Sequence, residues 1–386
     1  MPKPPSFTPA AAAIRSAVYS KHSGSADSRL QIPLHVGDTW MEPAVGCRMQ
    51  DLNVDKYRGL HRYSPVPGLP ELRARIAEHH GKLAGVDTSL SQVIVTAGAT
   101  AGLAAAVAAL VSPGESVLLA APYWPLIAGS IRAFNAQAID VPLMTDVESA
   151  DEVVARFEAA RTETTVAVYW NTPHNPTGRL IPRDWLEALV EWARLHCLWI
   201  FSDDVYERYA YGGEHVYTRA LAPERTISVH SFSKSYGMAG NRCGYLVGSE
   251  DAISAIRRIM TNINYSACTA SQYAALNALG EAGEEWVNQA CAKYAELGAW
   301  AADRLSVNRP DGSTFLFLDI AEPLKHGECN DGLATFLQTL ANNGVLVAPG
   351  SSFGPYPHHI RICFTATEPK RMRQGIEILA RFLEKA

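Results

Sequence analysis

Four short stretches carry side chains whose types and spacing suit chemistry. Ser231-Phe232-Ser233-Lys234 sets a lysine behind two hydroxyls, with Arg242 following on the same segment. A lysine enclosed by protein loses part of its preference for the charged form, and its free amine is a nucleophile. In Ser202-Asp203-Asp204-Val205-Tyr206 the acid Asp203 and the phenol Tyr206 are spaced so that both can address one ligand. Asn171-Thr172-Pro173-His174-Asn175-Pro176-Thr177-Gly178 uses two prolines and a glycine to fix a loop and aim Asn175. Ala97-Gly98-Ala99-Thr100 is a small-residue turn opening a helix, where backbone N–H groups and the helix dipole favour an anion. Each stretch also has a plainer reading. The lysine could sit in a polar surface loop, the acid could cap a strand, Asn-Pro could start a turn, and the turn could need its glycine for geometry alone.

All four stretches follow segments that read as buried strands. Gln92–Thr96 runs into the small-residue turn and then a helix, Ser116–Ala120 is the next strand, and Val166–Trp170, Leu198–Ser202, Thr226–His230 and Gly244–Gly248 follow. Helices are expected over Pro70–Lys82, Val147–Ala160 and Pro182–His196. Strands separated by helices imply right-handed crossovers and a mostly parallel sheet covered on both faces, with ligands beyond the carboxyl ends of the strands. The C-terminal part changes character: long helical stretches, strand-like STFLFLDI, GVLVAP and HIRICFTA, then an amphipathic helix, which reads as a second α+β domain. A long helix near Ala270–Lys293 is expected to join the two.

The 386 residues are too many for one small core, and 47% hydrophobic with 19% charged residues is ordinary for a globular protein. A formal charge of −5 gives no reason to expect nucleic acid or an anionic membrane as partner. Seven dispersed cysteines, with no CxxC pair, suggest reduced thiols in a cytoplasm rather than disulfides or a metal site. No apolar run is long enough to span a bilayer. The N-terminal stretch, rich in Ala, Pro and Ser, reads as an arm leading into a short helix, with a transit peptide as the lesser alternative.

Taken together, the four stretches supply an anion cradle, an acid, two hydrogen-bonding groups and an amine, which is the set pyridoxal 5′-phosphate requires. Their order resembles the class I/II aminotransferases, the fold type I pyridoxal-phosphate enzymes related to aspartate aminotransferase. The resemblance extends from about Leu34 to the C-terminus through TAGATAGL, APYWPL, NTPHNPTG, SDDVY, SFSKSYGMAGNRCGY and HIRICF. It implies an α/β fold: a large domain with a mostly parallel seven-stranded sheet between helices, and a smaller α+β domain. The expected division is an arm over 1–30, a large cofactor-binding domain over 51–284, and a small domain formed by 31–50 and 285–386.

By the same resemblance Lys234 holds the cofactor as a Schiff base and moves the substrate's α-proton. Asp203 pairs with the pyridine nitrogen, Asn175 and Tyr206 contact the phenolic oxygen, and Trp124 stacks on the ring. Gly98, Ala99, Thr100, Ser231, Ser233 and Arg242 serve the phosphate, and Tyr63 matches a tyrosine that reaches the phosphate of a neighbouring subunit, which implies a homodimer with shared sites. Arg361 matches the arginine that clamps the substrate carboxylate, and Gly37 belongs to a segment that packs over substrate, where Asn175 is also expected. No metal is expected. Trp40, Met41 and Tyr19, near that segment, suggest an apolar side-chain pocket, although each could simply pack.

Two departures from the family pattern stand out. Asp204 after Asp203 is a mild change with no catalytic consequence expected. Where the dicarboxylate-specific branch has an arginine, this chain has Asn262, so aspartate or glutamate is not the expected amino donor. The expected activity is transfer of an amino group between an L-amino acid and a 2-oxo acid by a ping-pong mechanism. The alternatives on the same framework are a carbon–sulfur β-lyase, a cyclopropane-forming synthase, a decarboxylase or a cyclase. A nicotinamide dehydrogenase is disfavoured because GxGxxG is absent. A DNA-binding regulator is disfavoured because the segment ahead of the family-like region is too short for a helix-turn-helix module.

Overall fold

The computed structural model describes residues 7–14, 31–325 and 332–384. Tyr19, Cys329 and most of the N-terminal arm lie outside these residues; within the arm, a short helix forms at Pro9–Ala13. After a two-residue strand β1 (Ile32–Pro33), the chain builds β2 (Val93–Thr96), β3 (Ser116–Ala121), β4 (Gln137–Pro142), β5 (Thr165–Asn171), β6 (Trp199–Asp203), β7 (Thr226–Ser231) and β8 (Gly244–Val247). The last seven form one sheet in the order β2-β8-β7-β6-β5-β3-β4, parallel except for β8, which runs against both of its neighbours. Every residue of β2, β3, β7 and β8 is buried. That explains their mostly apolar or small-residue character, His230 in β7 excepted, since a sheet covered on both faces has no polar side. Helices Ala99–Leu110 and Glu250–Ile263 pack together on one face and Ala150–Ala160 with Arg183–Leu195 on the other.

Helices Pro125–Ala133 and Glu250–Ile263 add to those expected from sequence, and two further elements depart from the expectation. Strand β4 is not anticipated: it is an edge strand, and Gln137 and Asp140 face solvent. Polar residues blunt an open edge but also hide the strand from a hydrophobicity reading. The single long helix expected near Ala270–Lys293 is two helices, Thr269–Ala278 and Glu281–Arg304. Gly280 between them is extended, and Glu281 and Glu284 sit in the first turn of the second helix, where the dipole favours acids. The expected domain boundary at 284/285 therefore falls inside the second helix.

The C-terminal part forms an antiparallel sheet in the order β11-β12-β9 from β9 (Phe315–Asp319), β11 (Ala348–Pro349) and β12 (His359–Cys363), while β10 (Val345–Leu346) pairs in parallel with β1. The pairing of β1 with β10 ties the segment after the arm to the C-terminal lobe. The amphipathic helix Pro369–Glu384 covers this lobe through Met372, Ile376 and Leu379. Among the described residues no helix is long and apolar enough to cross a membrane.

Candidate active site

Strands β5, β6 and β7 are in parallel register, with Asn171 beside Asp203 and Asp203 beside Val229. Their carboxyl ends therefore deliver Asn171, Asp203 and Ser231 to one edge of the sheet, above which opens a cavity of about 220 Å³. Its walls include Gly37, Ala99, Thr100, Trp124, Asn175, Asp203, Tyr206, Ser231, Ser233, Lys234, Arg242 and Arg361. Of the residues singled out from sequence, Gly98 is adjacent to this wall and Tyr63 is not part of it, being 87% exposed and edge-on to Tyr265.

At the floor of the cavity Asp203 is buried, and Tyr169 donates its hydroxyl hydrogen to Asp203 Oδ2 at 2.7 Å. Asp203 Oδ1 has no hydrogen-bond partner among the described residues. Burial pushes this carboxyl up to about 7, against the pull of the Tyr169 hydrogen bond. An acid in that state gains most from a cationic N–H placed on its free oxygen. Tyr206 stands edge-on to Phe315, with ring centroids 5.5 Å apart. Lys234 Nζ donates to the carbonyl of Gly37, and its enclosure holds the amine below the ordinary lysine value, with Arg361 and Arg242 adding to the effect.

The opposite end is cationic and rich in donors. Gly98 has φ +82°, and a Cβ built there would fall 2.6 Å from Arg242 Nη2, so this guanidinium reaches the turn only because the side chain is missing. Arg242 itself holds a left-handed conformation, φ +50°, and its Nη1 bonds the Ala239 carbonyl at 3.0 Å and reaches Ser233 Oγ at 3.4 Å. Ser231 caps the short helix Phe232–Ser235 by accepting from the Ser233 N–H at 3.1 Å.

Arg361 comes from the other lobe, on β12, and is 1% exposed. It lies between the rings of Phe315 and Phe353, at 4.3 and 4.7 Å from their centroids. Its guanidinium donates to Asn175 Oδ1 at 2.9 Å and to the His35 carbonyl at 2.6 Å. The loop that carries Asn175 is fixed from both sides. Asn171 accepts from the Asn175 N–H and donates to the Asp203 carbonyl, each at 2.6 Å. Gly178, at φ +75°, has the Phe315 carbonyl oxygen 2.4 Å from where a Cβ would stand, so the loop packs against β9 only with glycine there.

Val36, Leu103, Asn171, Val205, Ala239 and Phe315 also line the cavity and were not singled out from sequence. Only Asn171 carried a signal, as the first residue of the Asn-Thr-Pro loop. Trp40 and Met41 pack against the core, Trp40 edge-on to Tyr294, and neither reaches the cavity. Asp204 is fully buried, accepts from Ser202 at 2.9 Å and lies 3.4 Å from His215. Asn262 is exposed and bonds the Arg258 carbonyl of its own helix.

A cleft at the carboxyl edge of a mostly parallel sheet, floored by an acid, roofed by an arginine and carrying an enclosed lysine, defines an enzyme of the pyridoxal-phosphate type. The chain belongs to the aminotransferase class I and II family, whose model matches residues 33–379. It is 31% identical over 336 residues to aspartate/prephenate aminotransferase of Thermus thermophilus, covering 85% of each chain. It is 34% identical over 315 residues to arginine–pyruvate transaminase of Pseudomonas aeruginosa, covering 79% of this chain and 78% of that one. Among solved structures, a Thermus thermophilus aspartate aminotransferase single mutant superposes with TM-score 0.85 at 26% identity, covering 98% of this chain and all 100% of that one. The protein is thus an aminotransferase that works with pyridoxal 5′-phosphate. The cavity suits this cofactor at three points: the free Oδ1 of Asp203 for a ring N–H, the space left at Gly98 beside Arg242 for a phosphate, and the amine of Lys234 for an aldehyde.

Proposed function

We propose that the amino donor is an amino acid with an uncharged side chain, and that donor and 2-oxo acid acceptor are handled in turn at one site by a ping-pong mechanism. The observation that carries the first part is the cavity wall. Its two arginines, Arg242 and Arg361, already have tasks at opposite ends. The rest of the wall includes Val36, Leu103, Trp124, Val205 and Phe315, and helix Ala99–Leu110 bears no charged side chain. A distal carboxylate would be buried there without a cation, which is costly. The names of the relatives include aspartate, asparagine and arginine as donors, so family membership leaves the donor open.

Each site residue has a part in this reading. Arg361 clamps the substrate carboxylate with its fork of N–H groups. Lys234 Nζ, held at low basicity by enclosure, secures the cofactor and then takes the proton from the substrate α-carbon. Bound pyridoxal 5′-phosphate supplies an aldehyde that joins the amino group and a ring that accepts the electron pair left behind. Asp203 keeps a proton on the ring nitrogen, Asn175 and Tyr206 address the phenolic oxygen, Trp124 covers the ring, and Gly98, Ala99, Thr100, Ser231, Ser233 and Arg242 surround the phosphate. Gly37, which touches Lys234 through its carbonyl, closes the site from the second lobe.

We also propose a homodimer in which Tyr63 serves the partner's site, because Tyr63, Tyr265 and Ile263 leave large apolar surface exposed outside this chain's own cavity. The proposed domains are those expected from sequence, with the second boundary placed at Gly280. Free thiols at Cys47, Cys197, Cys243, Cys268, Cys291 and Cys363 support a cytoplasmic setting.

An absorption spectrum tests the activity and names the donor. The purified protein is expected to carry a visible cofactor band that an apolar or aromatic amino acid bleaches, aspartate and glutamate do not, and a 2-oxo acid restores. Lys234→Ala is expected to lack the covalently held form. Bleaching by aspartate at low concentration refutes the donor assignment, and ammonia release without an acceptor refutes transamination.

A further inference from the structure

We propose that Tyr169 is a positioning residue of this site: its hydroxyl, bonded to Asp203 Oδ2, presents Oδ1 to the cofactor's ring nitrogen and keeps the proton on that nitrogen rather than on the carboxylate. Tyr169 does not line the cavity, so it acts through Asp203 and not on a ligand directly. It lies on β5 opposite Phe201, two positions before the residue that faces Asp203 in the register, and therefore on the same face of the sheet. Its ring is held within the core formed with Leu119, Phe201 and Val229, and it is fully buried. At 2.7 Å the bond has the ordinary length of a well-formed O–H···O hydrogen bond. Asn171 on the same strand donates to the Asp203 main-chain carbonyl at 2.6 Å. One strand thus fixes both the backbone and the carboxylate of Asp203.

The other polar groups near Asp203 are occupied elsewhere or support the same arrangement. Asp204 turns to Ser202 and His215, and His230 turns to Glu207 at 3.0 Å. The Val205 N–H and the charge of His230 also favour the ionised acid, while Asp204 opposes it. Tyr206 lies on the cavity side. Tyr169 donates directly to the Asp203 carboxylate. A carboxylate that accepts such a bond is a weaker base, so a proton shared with a pyridine nitrogen stays on the nitrogen. That positive charge lowers the basicity of any nitrogen conjugated to the ring.

The inference rests on the cofactor occupying this cavity, and the test separates the two. Holoenzyme is prepared with ¹⁵N-labelled pyridoxal 5′-phosphate as wild type, Tyr169→Phe, Asp203→Asn and the double variant. Tyr169→Phe keeps the ring and removes only the donor. It is expected to raise the pH midpoint of the visible band by about one unit, move the ring ¹⁵N resonance toward the unprotonated position, and weaken cofactor binding roughly tenfold. In the Asp203→Asn background the same change is expected to add nothing. If Asp203→Asn shifts the midpoint and the resonance while Tyr169→Phe leaves both at wild type, or only lowers thermal stability, the proposal is overturned. Should Tyr169→Phe be recovered unfolded, a chain carrying 3-fluorotyrosine at 169, a stronger donor of the same shape, decides: a lower midpoint supports the proposal and an unchanged one overturns it. A wild type with no visible band would strike the assignment of the cofactor to this cavity instead.

Discussion

Replacing Arg361 by lysine keeps the charge and removes the geometry. The guanidinium is wedged between Phe315 and Phe353 and held by Asn175 and the His35 carbonyl, so its remaining N–H groups have a fixed direction. An ammonium offers a point charge with no planar fork, and it stacks less well between two rings. Losing one of two parallel charge-assisted bonds costs about 1.5–3 kcal/mol, and weakened cation–π contact adds roughly 0.5–1 kcal/mol. A net loss of about 3 kcal/mol corresponds to a fall on the order of 10²-fold in kcat/KM for the amino acid. The loss is expected mainly in KM, because the carboxylate is bound before and during the reaction alike. Steady-state kinetics with the best donor, alongside a cofactor titration, measures both quantities. Retention of kcat/KM within about threefold, or cofactor affinity falling as steeply as substrate affinity, would refute the placement of the substrate carboxylate at Arg361.

Three further outcomes follow from the geometry. Gly98→Ala places a methyl group 2.6 Å from Arg242 Nη2 at a positive φ, so cofactor affinity is expected to drop at least about tenfold, from strain of roughly 1–3 kcal/mol; unchanged affinity by titration would mean that Arg242 does not serve the phosphate. For the cofactor-free chain, Asp203 has a folded value of about 7, raised by burial above the ordinary carboxyl value. The stability it contributes is therefore complete below about pH 4 and lost as pH rises through about 7. Asp203→Asn is then expected to raise the melting temperature of the apoprotein more at pH 8 than at pH 4, and a pH-independent difference would contradict the burial argument. Sedimentation is expected to show a dimer, and Tyr63→Phe to weaken cofactor binding there without dissociating it; a monomer with full cofactor affinity would refute the shared site.

Much of the site was legible because its residues follow buried parallel strands, whose apolar runs are easy to read, and because register then gathers the strand ends. Asp203 and Ser231 needed only this, and Asn175 needed the rigid loop after β5. Arg361 was legible only through family resemblance: it lies in a different lobe, and nothing in HIRIC by itself points across the cleft. Phe315 and Val36 carry no local signal at all, since an apolar residue beside a ligand looks the same in sequence as one in a core. Tyr169 was hidden for the same reason, inside a strand whose other residues are apolar. Strand β4 was missed because edge strands are polar where they meet solvent, and the break at Gly280 because a glycine amid helix formers does not say whether it is tolerated or used.

The segment from Asp203 to Glu207 shows why residue type alone did not assign these roles. Asp203, Asp204 and Glu207 are all buried carboxyls within one turn of chain. Burial works to raise Glu207, yet the charge and hydrogen bond of His230 prevail and hold it well below the usual range, while Glu207 in return raises His230. Its compensating cation is internal. Asp204 has the Ser202 hydroxyl and neighbouring His215. Asp203 has neutral donors, the Tyr169 hydroxyl on Oδ2 and the Val205 N–H, and its Oδ1, at the cavity wall, has no hydrogen-bond partner among the described residues. A buried acid without an internal cation stays ionised at neutral pH only if a cation arrives from outside. A protonated ring nitrogen meets that need, so binding it and ionising Asp203 are one linked event. The fold has provided Glu207 with a permanent partner and left Asp203, at the floor of the cleft, to be completed by the ligand.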